Sequence, residues 1–437
     1  MTQLPSPTPA APITEVRVTP VAFADPPLLN AVGVHEPWAL RSIVEIVVDG
    51  NAYGLGESYG DAVHVERLRA VGASLVGHDV FDIAGLRRAT TEALSHDRLT
   101  GGHGTSGMVT GTTTLDRVFS PLEVAALDVQ GKILGVPVTT LLGGRNRDRI
   151  PFSGYLFYKW AGHPGPDGSP ETAPADGFGT ALDPAGVVAQ AEWMIEQYGF
   201  TALKLKGGVF PPEEEAAAIE ALAERFPGLP LRLDPNAAWS VETSVRVGER
   251  LDGVLEYLED PTEGFEGMAQ VRSRVSMPLA TNMCVVAFGH IPPAVRAGSV
   301  DIVLSDHHFW GGLRRSQELA AIAETFGMGL SMHSNSHLGV SLAAMLHFAA
   351  SARQIDYACD THWPCKLPED DVVEGSPFVF EKGSLAVPTA PGLGVTLDRG
   401  RLEHLHRAYI DAGLTARDDT TYFRRFHPTF DPAVHRF

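Results

Sequence analysis

Apolar and polar residues alternate over residues 13–60: ITEVRVTPVAF, then SIVEIVVDG with a turn at Asp49-Gly50, then YGLGES. A period of two predicts antiparallel strands, with the loop LLNAVGVHEPWALR between the first and second. Helical periodicity takes over from about His64 to Leu94 and returns in LEVAALDVQGKILG, so the first ~140 residues read as an α+β unit. The Gly-rich stretch TGGHGTSGMVTGTT, 100–113, is not a phosphate loop, because no apolar strand precedes it and no GK[ST] ends it.

From Ile150 the rhythm changes. Short apolar runs recur, each followed by a helix-like segment: RIPFSGYLF, TALKLKGG, LRLDPNAAW, LEYLEDP, PLATNM, DIVLSD, LSMHSNS and QIDYACDTHW. With Lys206, Asp234, Glu259, Asn282, Asp306, His333 and His362 as markers, successive polar residues stand 23–29 positions apart, the length of one βα unit. About eight such units predict a closed parallel barrel rather than an open doubly wound sheet. Each marker falls at the C-terminal end of its strand, the end where barrel enzymes carry their chemistry. One intervening helix is legible in PPEEEAAAIEALAERF, where prolines and acids open it and Ile219, Leu222, Ala223 and Phe226 form one apolar stripe. The insert WAGHPGPDGSPETAPADGFGTALDPAG is too rich in Gly and Pro for a regular element and reads as a surface loop near the same end.

The expected organisation is a disordered Pro-rich tail at 1–12, an α+β capping domain at 13–145, the barrel at 146–398 and a segment at 399–437 that returns to the cap. The fold class is thus α/β, a TIM-type barrel with an α+β addition.

The strand ends carry the candidate chemistry. TALKLKGG puts Lys204 and Lys206 on one side of a strand, a like-charge pair that needs compensation. Asp234, Glu259 and Asn282, from three consecutive strands, converge as hard oxygen donors suited to Mg²⁺. In EDPTEG either Glu259 or Glu263 could reach the ion. Asp306 and His333 lie on adjacent strands, and a carboxylate beside an imidazole is the arrangement of a general acid/base. Together the set fits proton abstraction next to a carboxylate, with a base on either face. No GxSxG elbow supports a serine hydrolase, and a glycosidase reading leaves the lysine pair and Asn282 without purpose.

Composition narrows the partners. Thirty-four basic against 53 acidic residues give a net charge of −19, which argues against a nucleic-acid partner. No run approaches the ~20 apolar residues that span a bilayer, so no membrane role is expected. The three cysteines, Cys284, Cys359 and Cys365, form no framework and fit a reducing cytoplasm.

KLKGG, LDPNAAW, EDP, TNM, SVDIVLSDHHFW, HSNSH and DTHW resemble the successive strand-end motifs of the enolase superfamily, in its D-glucarate dehydratase group. AVGVHEPWALR, GYLFY and ARDD at 416–419 are similar to the same group, so the resemblance covers nearly the whole chain. It implies a modified (β/α)7β barrel capped by an α+β domain built from both chain ends. It implies Lys206 as one base, with Lys204 beside it on the substrate carboxylate, and His333 with Asp306 as the opposite base and acid. Asp234, Asn282 and Glu259 or Glu263 would hold Mg²⁺. His35, Thr105, Tyr155, Asn236, Ser334, Asn335, His362 and Arg417 would line an aldarate substrate, with Arg417 offering its planar fork to the distal carboxylate. The expected reaction is dehydration of D-glucarate, or its epimer L-idarate, to 5-dehydro-4-deoxy-D-glucarate. Galactarate or another acid sugar is the alternative substrate, and a catalytically weak binding or regulatory relative the alternative role. Self-association into a homo-oligomer is expected, as is common for such barrels.

Overall fold

The alternating segment forms a three-stranded antiparallel sheet of β1 (Ile13–Ala24), β2 (Trp38–Val48) and β3 (Tyr53–Tyr59), in that spatial order. The computed structural model describes residues 11–49, 52–95, 114–165, 179–375 and 377–437. The loop between β1 and β2 is more regular than expected, since Leu29–Asn30 pairs with Gly33–Val34. The helix Thr114–Leu134 lies against β3 so closely that a Cβ at Gly54 or Gly56 would collide with the carbonyls of Ala125 and Pro121. Glycine at both positions is thus a packing requirement.

Seven parallel strands follow: β4 (Gly154–Phe157), β5 (Leu203–Lys206), β6 (Leu231–Asp234), β7 (Leu255–Glu259), β8 (Leu279–Thr281), β9 (Ile302–Ser305) and β10 (Gly329–Met332). Their spatial order is their chain order, as repeated βα units require. The eighth run, QIDYACDTHW, forms no regular strand. It nevertheless bridges the two open edges: Asp356 and Asp360 donate their backbone N–H to Leu330 and Met332 of β10, while Cys359 N–H reaches Pro151 and Ser153 N–H reaches Cys359, all at 2.9 Å. Ladder pairing fails between those points because side chains take the carbonyls. Ser331 Oγ donates to Tyr357 and Ala358, and Arg232 NH1 donates to Ala358 at 2.7 Å. The result is a TIM-type barrel whose last strand is held partly by side chains.

The C-terminal helix Arg399–Ala412 packs on the cap sheet, through the paired contact of Arg399 with Glu45 at 2.8 and 2.5 Å and through His406 Nδ1 to the Pro20 carbonyl at 2.7 Å. The Gly- and Pro-rich insert begins and ends on a backbone pair between Lys159 and Ala181; its residues 166–178 lie outside those described. Among the described residues no helix is long and apolar enough to cross a membrane.

Candidate active site

Strand pleat and barrel depth set the lysine pair apart. Both side chains point inward, but Lys206 ends β5 and reaches the wall of a cavity at the barrel mouth, while Lys204 sits one layer below and is fully buried. Lys204 Nζ lies 2.6 Å from Glu259 Oε2, 2.8 Å from Asp360 Oδ2 and 3.2 Å from Asp234 Oδ2. Burial alone would lower this ammonium; Asp360 and Glu259 more than offset it and hold it well above the ordinary lysine range. The place expected for Lys204, on a substrate carboxylate, therefore differs from what is seen: three carboxylates occupy it, and it does not line the cavity.

Lys206 Nζ donates to Asp234 Oδ2 at 2.8 Å and to Asn236 Oδ1 at 2.5 Å. Asn236 can reach back because it takes a left-handed φ of 52°, followed by Ala237 at 58°. Behind the KLKGG turn, Glu215 folds inward from the first turn of the helix Pro212–Arg225 and accepts the N–H groups of Gly208, Val209 and Phe210 at 2.7–3.0 Å. Burial pushes its carboxyl up to about 7.

Two of the expected hard-oxygen donors, Asp234 and Glu259, lie side by side against Lys204. Neither oxygen of the fully buried Glu259 has an aligned hydrogen bond, even though Oε2 lies so near Lys204. Its carboxyl is driven well above the ordinary range, by burial first and by the charge of Asp234 second. Asp234, buried too, is held well below the ordinary range by Lys206 and Lys204 in spite of that burial. Asn282 follows β8, where Asp260 Oδ2 accepts its backbone N–H at 2.7 Å and Asp260 Oδ1 accepts the Thr281 hydroxyl at 2.5 Å. Hard oxygens, those of Glu259 without a hydrogen bond in the interior, are the donor set of Mg²⁺ rather than of a soft metal. Glu263 is exposed at the start of the helix Gly264–Arg272, its backbone N–H on His435 Nε2 at 3.2 Å.

The opposite wall is built on Asp306. His333 Nδ1 lies 3.1 Å from Asp306 Oδ2, and Asn335 Nδ2 donates to the same oxygen at 3.4 Å. Asp306 Oδ1 takes the ring and the backbone N–H of His308 at 2.7 and 2.9 Å. Burial alone would raise this carboxyl; His308 and His333 hold it well below the ordinary range. The Phe309 ring stacks on His333 with centroids 5.7 Å apart.

One cavity gathers Lys206, His333, His35, Tyr155, Ser334, Asn335, His362 and Arg417 with Asn30, Phe157 and Ser336; Asn236, expected to line the substrate, is not among its lining residues. Tyr155 OH lies 3.4 Å from Asp234 Oδ2, and His362 Nδ1 lies 3.3 Å from Ser334 Oγ. Burial first, with the neighbouring His35 ring second, holds His362 well below the ordinary imidazole range. Thr105 lies outside the described residues. Arg417 differs from expectation: Nε and NH2 are taken by Asp419 at 2.7 and 3.2 Å, and NH1 by Asp25 at 2.7 Å. His35 Nδ1 stands 3.2 Å from the same Asp25 oxygen. Asp25 and Asp419 thus orient Arg417 and engage the fork.

Two further residues were missed by the sequence reading, Asp360 beneath the cavity and Asp260 behind Asn282. Both signals were present: Asp360 stands two positions before His362, on the same face of an extended run, and Asp260 is the acid of EDP.

Residues 186–401 match the family described as "Enolase C-terminal domain-like". Over 432 residues the chain is 52% identical to a probable glucarate dehydratase of Streptomyces coelicolor, covering 97% of this chain and 99% of that one. The chain belongs to the enolase superfamily, in its D-glucarate dehydratase group. It is an acid-sugar hydro-lyase on a TIM-type barrel. A crystal structure of an enolase from Thermobispora bispora, complexed with magnesium and formate, is similar with a TM-score of 0.93 and 56% identity, covering 98% of this chain and all of that one. An enolase from Mycobacterium smegmatis, complexed with tartrate, is similar with a TM-score of 0.92 and 56% identity, covering 99% and 100%.

Proposed function

We propose that this chain dehydrates D-glucarate and its epimer L-idarate to 5-dehydro-4-deoxy-D-glucarate in a Mg²⁺-dependent reaction. The observation that carries the reading is a single cavity with a lysine on one wall and a carboxylate-oriented imidazole on the other, above a cluster of buried carboxylates. Epimers at the carbon next to a carboxylate present their protons to opposite sides, so a site with two bases can accept both. Lys206 serves one wall, its N–H groups held by Asp234 and Asn236; His333 serves the other through Nε2, because Asp306 fixes the proton on Nδ1.

A cation held by Asp234, Asn282 and Glu259 or Glu263 would supply positive charge to the substrate carboxylate, on which negative charge accumulates as the adjacent proton leaves. Protonated His333 is placed to give its proton to the departing β-hydroxyl, which leaves as water, and the resulting enol becomes the ketone. The magnesium and the tartrate, a four-carbon diacid, in the related crystal structures support both the metal and the diacid substrate class.

The test is incubation of purified protein with and without Mg²⁺ against D-glucarate, L-idarate, galactarate and aldonic acids, following ketone formation by NMR. Ketone from the first two, only with Mg²⁺, is the expected result. Ketone from galactarate alone, or from no acid sugar, overturns the proposal.

A further inference from the structure

The motif DHHFW supplies Asp306, but its second histidine has no role in the dehydration as described. His308 is buried behind Asp306, on the side away from the cavity, and does not line it. Its Nδ1 faces Asp306 Oδ1 at 2.7 Å; its Nε2 lies 2.9 Å from Arg41 NH2 of β2 and 3.0 Å from Ser341 Oγ. A guanidinium has donors only, so the His308 nitrogen facing it accepts, and the ring proton must sit on Nδ1 and point at Asp306. Arg41 is fixed in turn. Its Nε donates to Glu57 Oε1 at 2.9 Å, and Glu57 accepts the N–H groups of Leu338 and Ser341 at 2.9 and 2.8 Å. A continuous run Glu57–Arg41–His308–Asp306–His333 therefore leads from the cap sheet to the base.

We propose that His308, set by Arg41 of the cap, is a positioning residue for the His333 base: by filling Asp306 Oδ1 it fixes the carboxylate and directs Oδ2 at His333 Nδ1. His308 touches no substrate and acts only through Asp306. The role rests on His333 working as a base in the proposed dehydration. The cap thereby sets the geometry of one wall, whereas on the other Lys206 is held directly by Asp234 and Asn236 of the barrel.

The test compares His308→Asn with His308→Gln in the full-length, Mg²⁺-loaded protein. Asparagine places an amide N–H where imidazole Nδ1 stands and keeps the donor to Asp306; glutamine places its amide one atom farther, towards Arg41, and loses it. The readout is exchange of the proton next to the carboxylate in D₂O, by NMR, for each epimer of the substrate pair. His308→Gln should slow exchange at the His333 wall by ~10–100-fold, the worth of one hydrogen bond to a charged group, with KM within about twofold. Exchange at the Lys206 wall should stay near wild type, and His308→Asn should recover the first wall to within about threefold of wild type. Equal slowing of both epimers, equal failure of both variants, or no slowing by glutamine overturns the role. Arg41→Gln, which removes the charged donor to His308 Nε2, supplies the same comparison if His308→Gln does not fold. Failure of the wild-type protein to exchange either epimer would instead defeat the dehydration reading itself.

Discussion

The two walls of the cavity are built on opposite electrostatic plans. Around Lys204, three buried carboxylates face one ammonium, and Glu259 has no aligned hydrogen bond. Around Asp306, one buried carboxylate is shared by two imidazoles, an amide and a backbone N–H. Lys204, Lys206 and Arg232 face the three carboxylates of the first wall in turn, and a divalent ion at Glu259 would complete that wall. The second is complete as it stands. Each base is thus oriented differently, Lys206 by groups that would also face a cation and His333 by a relay that ends in the cap.

Substitution of the bases separates the walls most strongly. Lys206→Ala and His333→Ala should each lose ~10²–10⁴-fold in turnover, with Mg²⁺ binding by calorimetry retained. Loss of the metal in both variants would show that these residues are structural.

A matched pair of carboxyls stands behind the walls. Glu215 holds the KLKGG turn, and Glu123 accepts the N–H groups of Leu313 and Arg314 at 2.9 and 3.1 Å, just beyond DHHFW. Burial raises each in the folded protein from the ordinary 4.5 to about 7. A carboxyl raised on folding stabilises fully below pH 4.5, and that contribution is lost as pH climbs through about 7. Chemical denaturation from pH 4.5 to 7 should show stability falling by up to ~3 kcal/mol for each group. Glu215→Gln and Glu123→Gln should each remove its own share of that slope. An unchanged slope in both would mean that the folded protein does not hold these carboxyls neutral.

Magnesium should act on the lysine wall alone. At about a hundred times its dissociation constant it should stabilise the protein by ~2.7 kcal/mol. Glu259→Gln should reduce that gain while leaving the metal-free protein as stable or more so, because it removes a strained buried carboxyl. If Glu263→Gln abolishes the gain and Glu259→Gln spares it, the ion is held from the loop instead. The smallest effect belongs to a contact on neither wall: Arg353→Ala, exposed against an exposed Glu324, should cost under about 1 kcal/mol by denaturation and leave turnover unchanged.

Much of this was legible in the sequence because a βα barrel repeats a simple rule. Asp234, Asp306 and His333 could be placed at strand ends by spacing alone, and the seven regular strands follow in chain order. Depth was not legible. Alternation put Lys204 and Lys206 on one side but could not say that one lies a layer below the other, among acids contributed from 30 to 156 positions away. Arg417 was identified, but its engagement by Asp25 and Asp419 depends on the cap folding back over the barrel mouth. The eighth strand was placed correctly and its regularity was not, because Ser331 and Arg232 take the carbonyls that a ladder would use.

Hydrogen exchange in D₂O by Lys206→Ala and His333→Ala, measured on D-glucarate and on L-idarate with Mg²⁺ present, tests the division of labour between the walls most directly. Each variant should keep proton exchange with one epimer and lose it with the other, in opposite senses. Loss of both epimers in either variant, or of the same epimer in both, would contradict a site with one base on each wall.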